Sequence, residues 1–473
     1  MLEFFSPPAP RERLAADKID KEYRSMRLKV FLGAFFGYAA YYLVRKNLSL
    51  AAPGMMAEGL LDKESAGFAM AGIPIAYAFS KFLMGSLSDH SDARKFLVVG
   101  LIIASSVMMA VGLVPYSSSI AVNAGVLFAF MLAVGWLSGM GWPPCGRIMA
   151  HWFSQNERSF KMSIWNCSHN IGGGSLGLLV SLGIATFAAM GITESWRAAF
   201  IFPSVVAICF AAFCWWTLRD TPESCGLPPI EEYRNDYTSR KAAKGEEQKI
   251  PFRRLFVDYI FKNHLLWMIA IANVFVYFIR YGVSDWAPTY LQEMQILSPD
   301  ESRLAFSLFE YAGIPGTIIC GWLSSKFFDG RCAPVNVIYM LMVLVGILCY
   351  WQAESIAMML GGGEALLKSI VYGALSLTGF AVYGPIALIG IQALSFVPKN
   401  AAGTAAGFVG LFGYLLGDAL LSKIVVGQIA GSAHLGWSAT FWLFTIGCVI
   451  ATSICAITWG KEYRLMNERR LQH

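Results

Sequence analysis

The chain has 473 residues, of which 56% are hydrophobic and only 14% are charged. Soluble globular proteins carry about 25% charged residues, so this composition excludes that class. Apolar stretches of about 20 residues, the length that one helix needs to cross a bilayer, recur along the sequence. We therefore predict an all-α, multi-pass protein of the lipid bilayer. The net charge of +6 lies mainly in the loops, where it indicates topology and gives no sign of a nucleic-acid partner.

Catalytic and metal-binding patterns are missing from the sequence. The ten cysteines are scattered singly, with no C-x-x-C pair and no histidine at metal spacing, so we interpret them as free thiols in apolar helices. No glycine-rich run continues into G-K-[ST], and no Ser/His/Asp constellation is present. We therefore expect no enzymatic activity, no ATP hydrolysis, no metal and no cofactor.

The apolar runs, taken in chain order, predict twelve transmembrane helices. The first six lie near residues 28–51, 65–87, 95–115, 121–150, 160–186 and 197–217. The second six lie near residues 264–291, 302–325, 334–352, 366–394, 402–430 and 437–460. The division that follows is an N-terminal segment 1–27, a six-helix half 28–217, a linker 218–263, a second half 264–460 and a tail 461–473.

The distribution of basic residues predicts the orientation of the chain. Lysine and arginine concentrate in both terminal segments, in the linker and in alternate loops, whereas the loops between those are nearly devoid of them. The positive-inside rule then places both termini and the linker in the cytoplasm. The segment before Val30 contains no apolar stretch typical of a cleavable signal peptide.

Two unrelated features repeat at nearly the same interval. The loop "GSLSDHSDARK" starts at Gly85, and a degenerate copy, "GWLSSKFFDGR", starts at Gly321 with Ser325 in place of Asp89. Arg45 in "YYLVRK" and Arg280 in "YFIRYG" are separated by almost the same length of chain, and each lies inside an apolar run. Two pseudo-symmetric halves of six helices each are the simplest account of a shared offset of half the chain.

The repeated arginines predict an anion site. A charge in the middle of a bilayer costs upwards of about 2.5 kcal/mol, so such residues usually face an interior cavity. Each arginine alone could instead end its helix and extend to the membrane surface, but the common offset of Arg45 and Arg280 favours two side chains facing one cavity. Guanidinium groups bind phosphate bidentately and stay charged when desolvated, so we expect a phosphate or a phosphate monoester as ligand.

Other polar groups within the predicted spans fit an anion site. Lys81 and His169 lie in the second and fifth spans, and His169 either packs through a hydrogen bond or responds to the protonation of the anion. Lys46 has no evident neutralising partner in its own half, and a pair with Asp285 or Glu310 would compensate it across the two halves. Hydroxyls on otherwise apolar spans come from Tyr38, Tyr42, Tyr77, Tyr277, Tyr383 and Tyr414.

Several segments carry a family resemblance. "FFGYAAYYLVRKN", "SGMGWPPCGR", "WNCSHNIGGG", "IAIANVFVYFIRYG", "EYAGIPGT" and "AAGTAAGFVGLFGYL" resemble the organophosphate:phosphate antiporter family of the major facilitator superfamily. The resemblance extends over essentially the whole chain and is strongest to the glycerol-3-phosphate branch. It implies the major facilitator fold in a monomer, multi-pass in the bacterial inner membrane.

The same resemblance implies a function and a set of site residues. The function is alternating-access exchange of a small organic phosphate, foremost glycerol 3-phosphate, for inorganic phosphate. A hexose 6-phosphate or phosphoglycerate antiporter and a non-transporting phosphate-ester sensor are the alternatives within the family. The resemblance assigns the phosphoryl group to Arg45 and Arg280, and ion pairs between the halves to Lys46, Asp285 and Glu310. The other implied binding residues are Lys81, His169, Tyr38, Tyr42, Tyr77, Trp142, Asn166, Tyr277, Tyr383 and Tyr414.

Asp418 departs from the glycerol-3-phosphate pattern. It lies in the eleventh span, where that branch is expected to carry a small neutral residue and where the hexose-phosphate branch is more similar. Asp418 either contributes to selection of the organic substrate or pairs structurally, within its helix or with Lys423. The phosphate part of the prediction does not depend on this choice.

Overall fold

A computed structural model describes residues 3–235, 257, 260–397 and 402–471, and this part of the chain is built from helices joined by short turns. The chain groups into two compact units. The first unit comprises Met1–Asn47, Phe79–Val114 and Phe130–Gln248. The second unit comprises Leu48–Ala78, Pro115–Ala129 and Lys249–His473.

The described residues as far as Asn235 contain eleven α-helices. They are α1 (Ala16–Tyr42), α2 (Asn47–Ala57), α3 (Lys63–Met70), α4 (Gly72–Asp89), α5 (Ala93–Leu113), α6 (Ile120–Ser138), α7 (Trp142–Trp152), α8 (Gln155–Asn166), α9 (Ser168–Ala189), α10 (Ala198–Thr217) and the short α11 (Ile230–Tyr233). Short 3₁₀ turns occur at Glu3–Phe5, Ser195–Arg197 and Glu223–Cys225.

The remaining helices cover the second set of predicted spans. They are α12 (His264–Glu293), α13 (Pro299–Phe327), α14 (Ala333–Trp351), α15 (Ala353–Met359), α16 (Glu364–Ser395), α17 (Ala402–Phe412), a π-helix (Gly413–Val425), α18 (Val426–Gly431) and α19 (Gly436–Leu471). Of the predicted linker, only 218–235, 257 and 260–263 lie within the described residues.

Eleven helical segments of the described chain are long and apolar enough to cross a membrane. The all-α, multi-span prediction is therefore confirmed. The first predicted span, 28–51, has no single helix to represent it, because α1 ends at Tyr42 and α2 begins at Asn47. The segment between them includes Arg45 and Lys46, so the chain leaves the helical conformation where its two adjacent cations lie.

Glycines allow close helix packing within each unit. In the first unit, a Cβ atom added to Gly172 of α9 would clash with the backbone carbonyl of Ala39 in α1. In the second unit, a Cβ atom added to Gly316 of α13 would clash with the Phe380 carbonyl, and one added to Gly379 of α16 would clash with the Phe309 carbonyl. Small residues at such contacts let helix backbones approach within the bilayer, where hydrophobic burial between helices contributes little.

Candidate functional site

Three of the predicted site residues of the first unit lie beside helix interruptions. Arg45 lies between α1 and α2, Trp142 begins α7 after the break at 139–141, and Asn166 ends α8 just before α9. Non-helical backbone at membrane depth is tolerated where it is buried in protein or lines a water-filled cavity. Each interruption within the membrane is therefore expected to lie buried in protein or to border a cavity.

Asn47 anchors the first interruption. Its side-chain Nδ2 donates to the Leu43 carbonyl at 2.9 Å and to the Ala199 carbonyl of α10 at 2.8 Å, and the residue is fully buried. Leu43 is also the C-cap of α1, and its N–H donates to the Ala40 carbonyl at 3.1 Å. One side-chain amide at the start of α2 thus satisfies a carbonyl at the end of α1 and a carbonyl of α10.

The Tyr42 ring packs on Arg45 in the first unit, and two further rings pack on Tyr42. The Arg45 guanidinium carbon lies 4.9 Å from the centre of the Tyr42 ring, in cation–π geometry. The Tyr42 ring lies 5.5 Å from the rings of both Tyr38 and His169. His169 Nδ1 is within hydrogen-bond distance of the Asn166 carbonyl. A carbonyl oxygen can only accept, so Nδ1 is the ring nitrogen that donates in this hydrogen bond. These residues, all named from the sequence, thus lie in one neighbourhood.

Trp165 is a member of this group that the sequence reasoning missed. Its ring stacks on Tyr38 at 4.7 Å and contacts the Trp142 ring at 6.4 Å, and its indole N–H donates to the Ala34 carbonyl at 3.1 Å. It connects α1, α7 and α8 on the inside of the unit. Its position at the start of "WNCSHN" was the available signal.

The other predicted residues of the first unit are less enclosed. Lys81 on α4 is exposed, Trp142 is 41% exposed and Asn166 is half-buried, whereas Lys46 is buried. An exposed lysine or tryptophan on a membrane-spanning helix faces either a polar cavity or lipid, and its exposure does not decide between the two. Their direct participation in a binding site therefore remains a prediction.

Arg280 is the centre of the predicted site in the second unit. It lies within the continuous helix α12, is 3% exposed, and donates from Nη2 to the Tyr383 hydroxyl at 3.0 Å. The Tyr383 hydroxyl donates in turn to Oε2 of Glu310. The rings of Tyr383 and Tyr281 lie 4.4 and 4.7 Å from the guanidinium carbon. The Arg280 guanidinium of α12, the Tyr383 hydroxyl of α16 and the Glu310 carboxylate of α13 thus form one hydrogen-bonded series.

A cluster of four tyrosines adjoins Arg280. The Tyr414 ring of the π-helix lies 5.0 Å from Tyr277, 6.4 Å from Tyr281 and 4.9 Å from Tyr77. The π-helix packs tightly on α12, because Gly417 lies close to the Val274 carbonyl and to Tyr277. Three tyrosines predicted from the sequence therefore meet here, and Tyr281 is the member that sequence reasoning missed, although it directly follows Arg280.

Lys423 joins two buried carboxylates in the second unit. Its ammonium nitrogen pairs with Oδ2 of Asp285 and lies 3.5 Å from Oδ1 of Asp418. The Ser284 hydroxyl donates to the other oxygen of Asp285 at 2.8 Å. Asp418 and Lys423 both lie in the π-helix, whose i→i+5 hydrogen bonding brings positions at this spacing together. The predicted pairs of Lys46 with Asp285 or Glu310 join residues of different units and stay predictions.

Comparison with known proteins identifies the family. Residues 34–422 match the Major Facilitator Superfamily. The chain is 46% identical to the glycerol-3-phosphate transporter of Bacillus subtilis, covering 98% of this chain and 99% of the relative. It is 42% identical to the glycerol-3-phosphate transporter of Haemophilus influenzae, covering 96% of each. A probable hexose phosphate transport protein of Chlamydia pneumoniae is 33% identical, covering 97% of each chain.

Solved structures support the fold. A bacterial homologue of the lysosomal transporter Spinster, in an inward-facing and unoccupied conformation, aligns with a TM-score of 0.65 at 17% identity and covers 93% of this chain and 97% of its own. A D-xylose–proton symporter aligns with a TM-score of 0.62 at 16% identity, covering 91% and 96%. The chain belongs to the Major Facilitator Superfamily. It is a multi-pass membrane transporter and not an enzyme, and the resemblance to glycerol-3-phosphate transporters is confirmed.

Proposed function

We propose that this transporter takes up glycerol 3-phosphate in exchange for inorganic phosphate, by alternating access, in the bacterial inner membrane with both termini in the cytoplasm. The observation that carries the proposal is the pair of arginines, Arg45 and Arg280, each packed on a tyrosine ring inside its own unit. Similarity over nearly the full length to two proteins named as glycerol-3-phosphate transporters supports the choice of substrate.

The arginine environments suit recognition of a phosphoryl group. A ring packed on the face of a guanidinium fixes the plane in which its five N–H donors lie. Phosphate oxygens bind in that plane, two at a time, with a geometry that lysine cannot reproduce. We assign Arg45 and Arg280 to the phosphoryl group, and Tyr38, Tyr42, Tyr277, Tyr383 and Tyr414 to the polar and aromatic surroundings.

The charge balance of the assigned residues suits a dianion. Arg45, Lys46, Lys81, Arg280 and Lys423 are five cations, and the three carboxylates are Asp285, Glu310 and Asp418. Two positive charges remain when all eight groups are ionised and His169 is neutral. A phosphate monoester or inorganic phosphate carries nearly that charge with opposite sign at neutral pH, since its second pKa is about 6.

Exchange follows from the same chemistry. Two arginines that share a site repel each other when no anion is bound, and an anion bound by both offsets this repulsion. Either the organic phosphate or inorganic phosphate supplies the required oxygens. We therefore propose that both species allow the transporter to change conformation and that the empty form changes conformation slowly.

Reconstituted protein tests this function. Proteoliposomes loaded with radiolabelled phosphate should release the label when glycerol 3-phosphate is added outside, and should retain it when glycerol is added. A competition panel of glycerol 3-phosphate, glucose 6-phosphate, 3-phosphoglycerate and phosphoenolpyruvate ranks the organic substrates. If glucose 6-phosphate or 3-phosphoglycerate competes most strongly, that compound replaces glycerol 3-phosphate as the proposed substrate, and the proposed exchange mechanism is unchanged.

A non-transporting phosphate-ester sensor is the alternative on the same fold. It predicts binding of the phosphate ester to purified protein with no exchange in proteoliposomes. Release of label at a rate above that of protein-free liposomes would exclude it, whereas binding without release would overturn the proposed exchange.

A further inference from the structure

A basic pocket in the first unit lies apart from the residues assigned to transport. Its volume is about 290 Å³, at the lower end of the range of about 300–1,000 Å³ typical of small-molecule sites. Arg24 and Arg27 of α1, Lys161 of α8 and Arg234 at the end of α11 line it, together with Glu157. Four cations and one carboxylate thus meet in one concave surface.

Packing of α11 against α1 brings Arg234 to this pocket. The Tyr233 ring stacks on Tyr23 with their centres 3.9 Å apart, and the buried Tyr23 hydroxyl donates to the Pro228 carbonyl at 3.1 Å. The Tyr233 hydroxyl donates to Asp20, and this hydrogen bond lowers the pKa of the Asp20 carboxyl. The segment after α10 is therefore fastened to the start of α1, and the position of Arg234 is built into the fold.

The pocket has more cationic donors than protein acceptors. Glu157 accepts from Arg27, and its other oxygen lies 4.0 Å from the Arg234 guanidinium, so two arginines share one carboxylate. The ion pair of Arg24 is with Asp20, which does not line the pocket. Within the described chain, Lys161 makes a cation–π contact with Phe31 at 5.5 Å and no salt bridge.

Arg27 adds an unsatisfied donor. Its guanidinium packs on the Phe153 ring at 4.9 Å, and its side chain is 11% exposed. Among the described residues, Arg27 Nε is buried without a hydrogen-bond partner. A buried charged donor without an acceptor is costly, and it leaves this guanidinium only partly compensated by Glu157.

The pocket lies where the helix surface changes from polar to apolar. Leu28, which lines it, is 61% exposed, and Phe160 of α8 is 67% exposed one position before Lys161. The uninterrupted apolar run of α1 begins at about Val30, shortly after Leu28. Arginine and lysine beside exposed leucine and phenylalanine are typical of the level of the lipid headgroups.

We propose that this pocket binds the phosphate of an anionic membrane phospholipid, with Arg27, Lys161 and Arg234 around the phosphate and Leu28 against the acyl region. Basic pockets between transmembrane helices on the cytoplasmic side bind anionic lipid headgroups in other proteins. A small free phosphate ester would satisfy the same cations but would leave Leu28 and Phe160 without an apolar partner. The proposal is independent of the transported substrate.

Thermal unfolding of the purified full-length protein in detergent distinguishes these ligands. Increasing concentrations of dioctanoyl phosphatidylglycerol should raise the melting temperature, and equal concentrations of dioctanoyl phosphatidylcholine should raise it less. The variants Lys161→Gln and Arg234→Gln should each require about fivefold more phosphatidylglycerol for the same shift, as expected for loss of one cation near an anionic headgroup.

Lys29→Gln is the matched control, because Lys29 lies on the same helix but packs over Trp216 at 5.7 Å and does not line the pocket. Its response to phosphatidylglycerol should equal that of the unmodified protein. Equal responses to the two lipids, or equal losses in the control and the pocket variants, would overturn the proposal. A shift produced by inorganic phosphate or glycerol 3-phosphate and lost in Lys161→Gln, without a phosphatidylglycerol effect, would assign the pocket to a soluble anion instead.

Discussion

The ammonium nitrogen of Lys423 lies 3.5 Å from Oδ1 of Asp418, which precedes it on the same π-helix. Lys423 also pairs with Asp285 of α12, so one buried cation compensates two buried carboxylates. Its nitrogen lies 5.6 Å from the ring of Tyr281, whose ring also contacts Arg280. This arrangement couples the charge balance of the π-helix to the proposed phosphate site.

Removal of Lys423 should destabilise the protein strongly. Lys423→Met leaves two buried carboxylates without their common cation, and breaking a buried pair in this way costs about 3–5 kcal/mol. The melting temperature of the purified protein measures the loss. The double variant with Asp285→Asn should recover part of it, because one of the two buried carboxylates paired with Lys423 is then removed. A double variant as unstable as Lys423→Met would show that Asp285 is compensated elsewhere.

Substitution of Asp418 should change the selection of organic phosphates. Asp418→Ser leaves Lys423 with one carboxylate, which increases the positive charge beside Tyr281 and Arg280. Substrates with a second negative group, such as 3-phosphoglycerate, should gain about tenfold relative to glycerol 3-phosphate, the equivalent of about 1.4 kcal/mol. Competition against phosphate exchange measures the ranking, and phosphate self-exchange should persist. An unchanged ranking would assign Asp418 to a purely structural pair.

The Tyr383 hydroxyl should matter more for binding than its ring. Tyr383→Phe keeps the ring at the Arg280 guanidinium but removes the link between Arg280 and Glu310. Loss of hydrogen bonds to charged groups, at about 1.5–3 kcal/mol each, should weaken phosphate binding by at least tenfold. Tyr339→Phe is the control, since the Tyr339 hydroxyl donates to the Gly316 carbonyl in the same unit. Equal effects of both variants on phosphate affinity would contradict a specific role of Tyr383.

Close contact between α1 and α9 should be necessary for the stability of the first unit and for phosphate binding. In Gly172→Ala, the added methyl group would clash with the Ala39 carbonyl and press on Cβ of Tyr42. Overpacking of this kind costs about 1–3 kcal/mol and should displace the Tyr42 and His169 rings from their present contact. Melting temperature and phosphate affinity should both fall. Gly125→Ala of α6, where the added methyl group meets no atom of another helix within 4 Å, should lower neither.

The transmembrane helices were predictable from the sequence, because bilayer thickness fixes the length of apolar chain that one helix needs. The interruptions within them were not. Polar residues or prolines accompany every break: Arg45 and Lys46 at the first, Pro143 and Pro144 after the second, and "NCSHN" at the third. Such residues also occur within continuous helices, as Arg280 and Pro288 of α12 do, so they did not fix the helix ends. Helix ends inside an apolar run depend on tertiary partners, such as the Ala199 carbonyl that accepts from Asn47.

The arginines of the candidate site could be found from the repeat, but their partners could not. Tyr383 and Glu310 reach Arg280 from helices that are distant in sequence, and the packing of α13 on α16 determines that they meet. The π-helix changes which residues share a face, so Lys423 could be proposed as a partner of Asp418 but not placed against Asp285. Side-chain pairing at this level depends on tertiary geometry that residue spacing does not contain.

Phosphate binding by Arg45→Lys and Arg280→Lys tests the central claim most directly. Both variants keep the charge, but lysine cannot make the forked pair of hydrogen bonds, each worth roughly 1.5–3 kcal/mol. Each variant should therefore bind phosphate about tenfold to several hundredfold more weakly. Arg219→Lys is the control, because the Arg219 side chain donates to the carbonyls of Trp216 and Leu218 near the end of α10. Near-normal affinity in both lysine variants, in protein with an unchanged melting temperature, would contradict a site built on the two arginines.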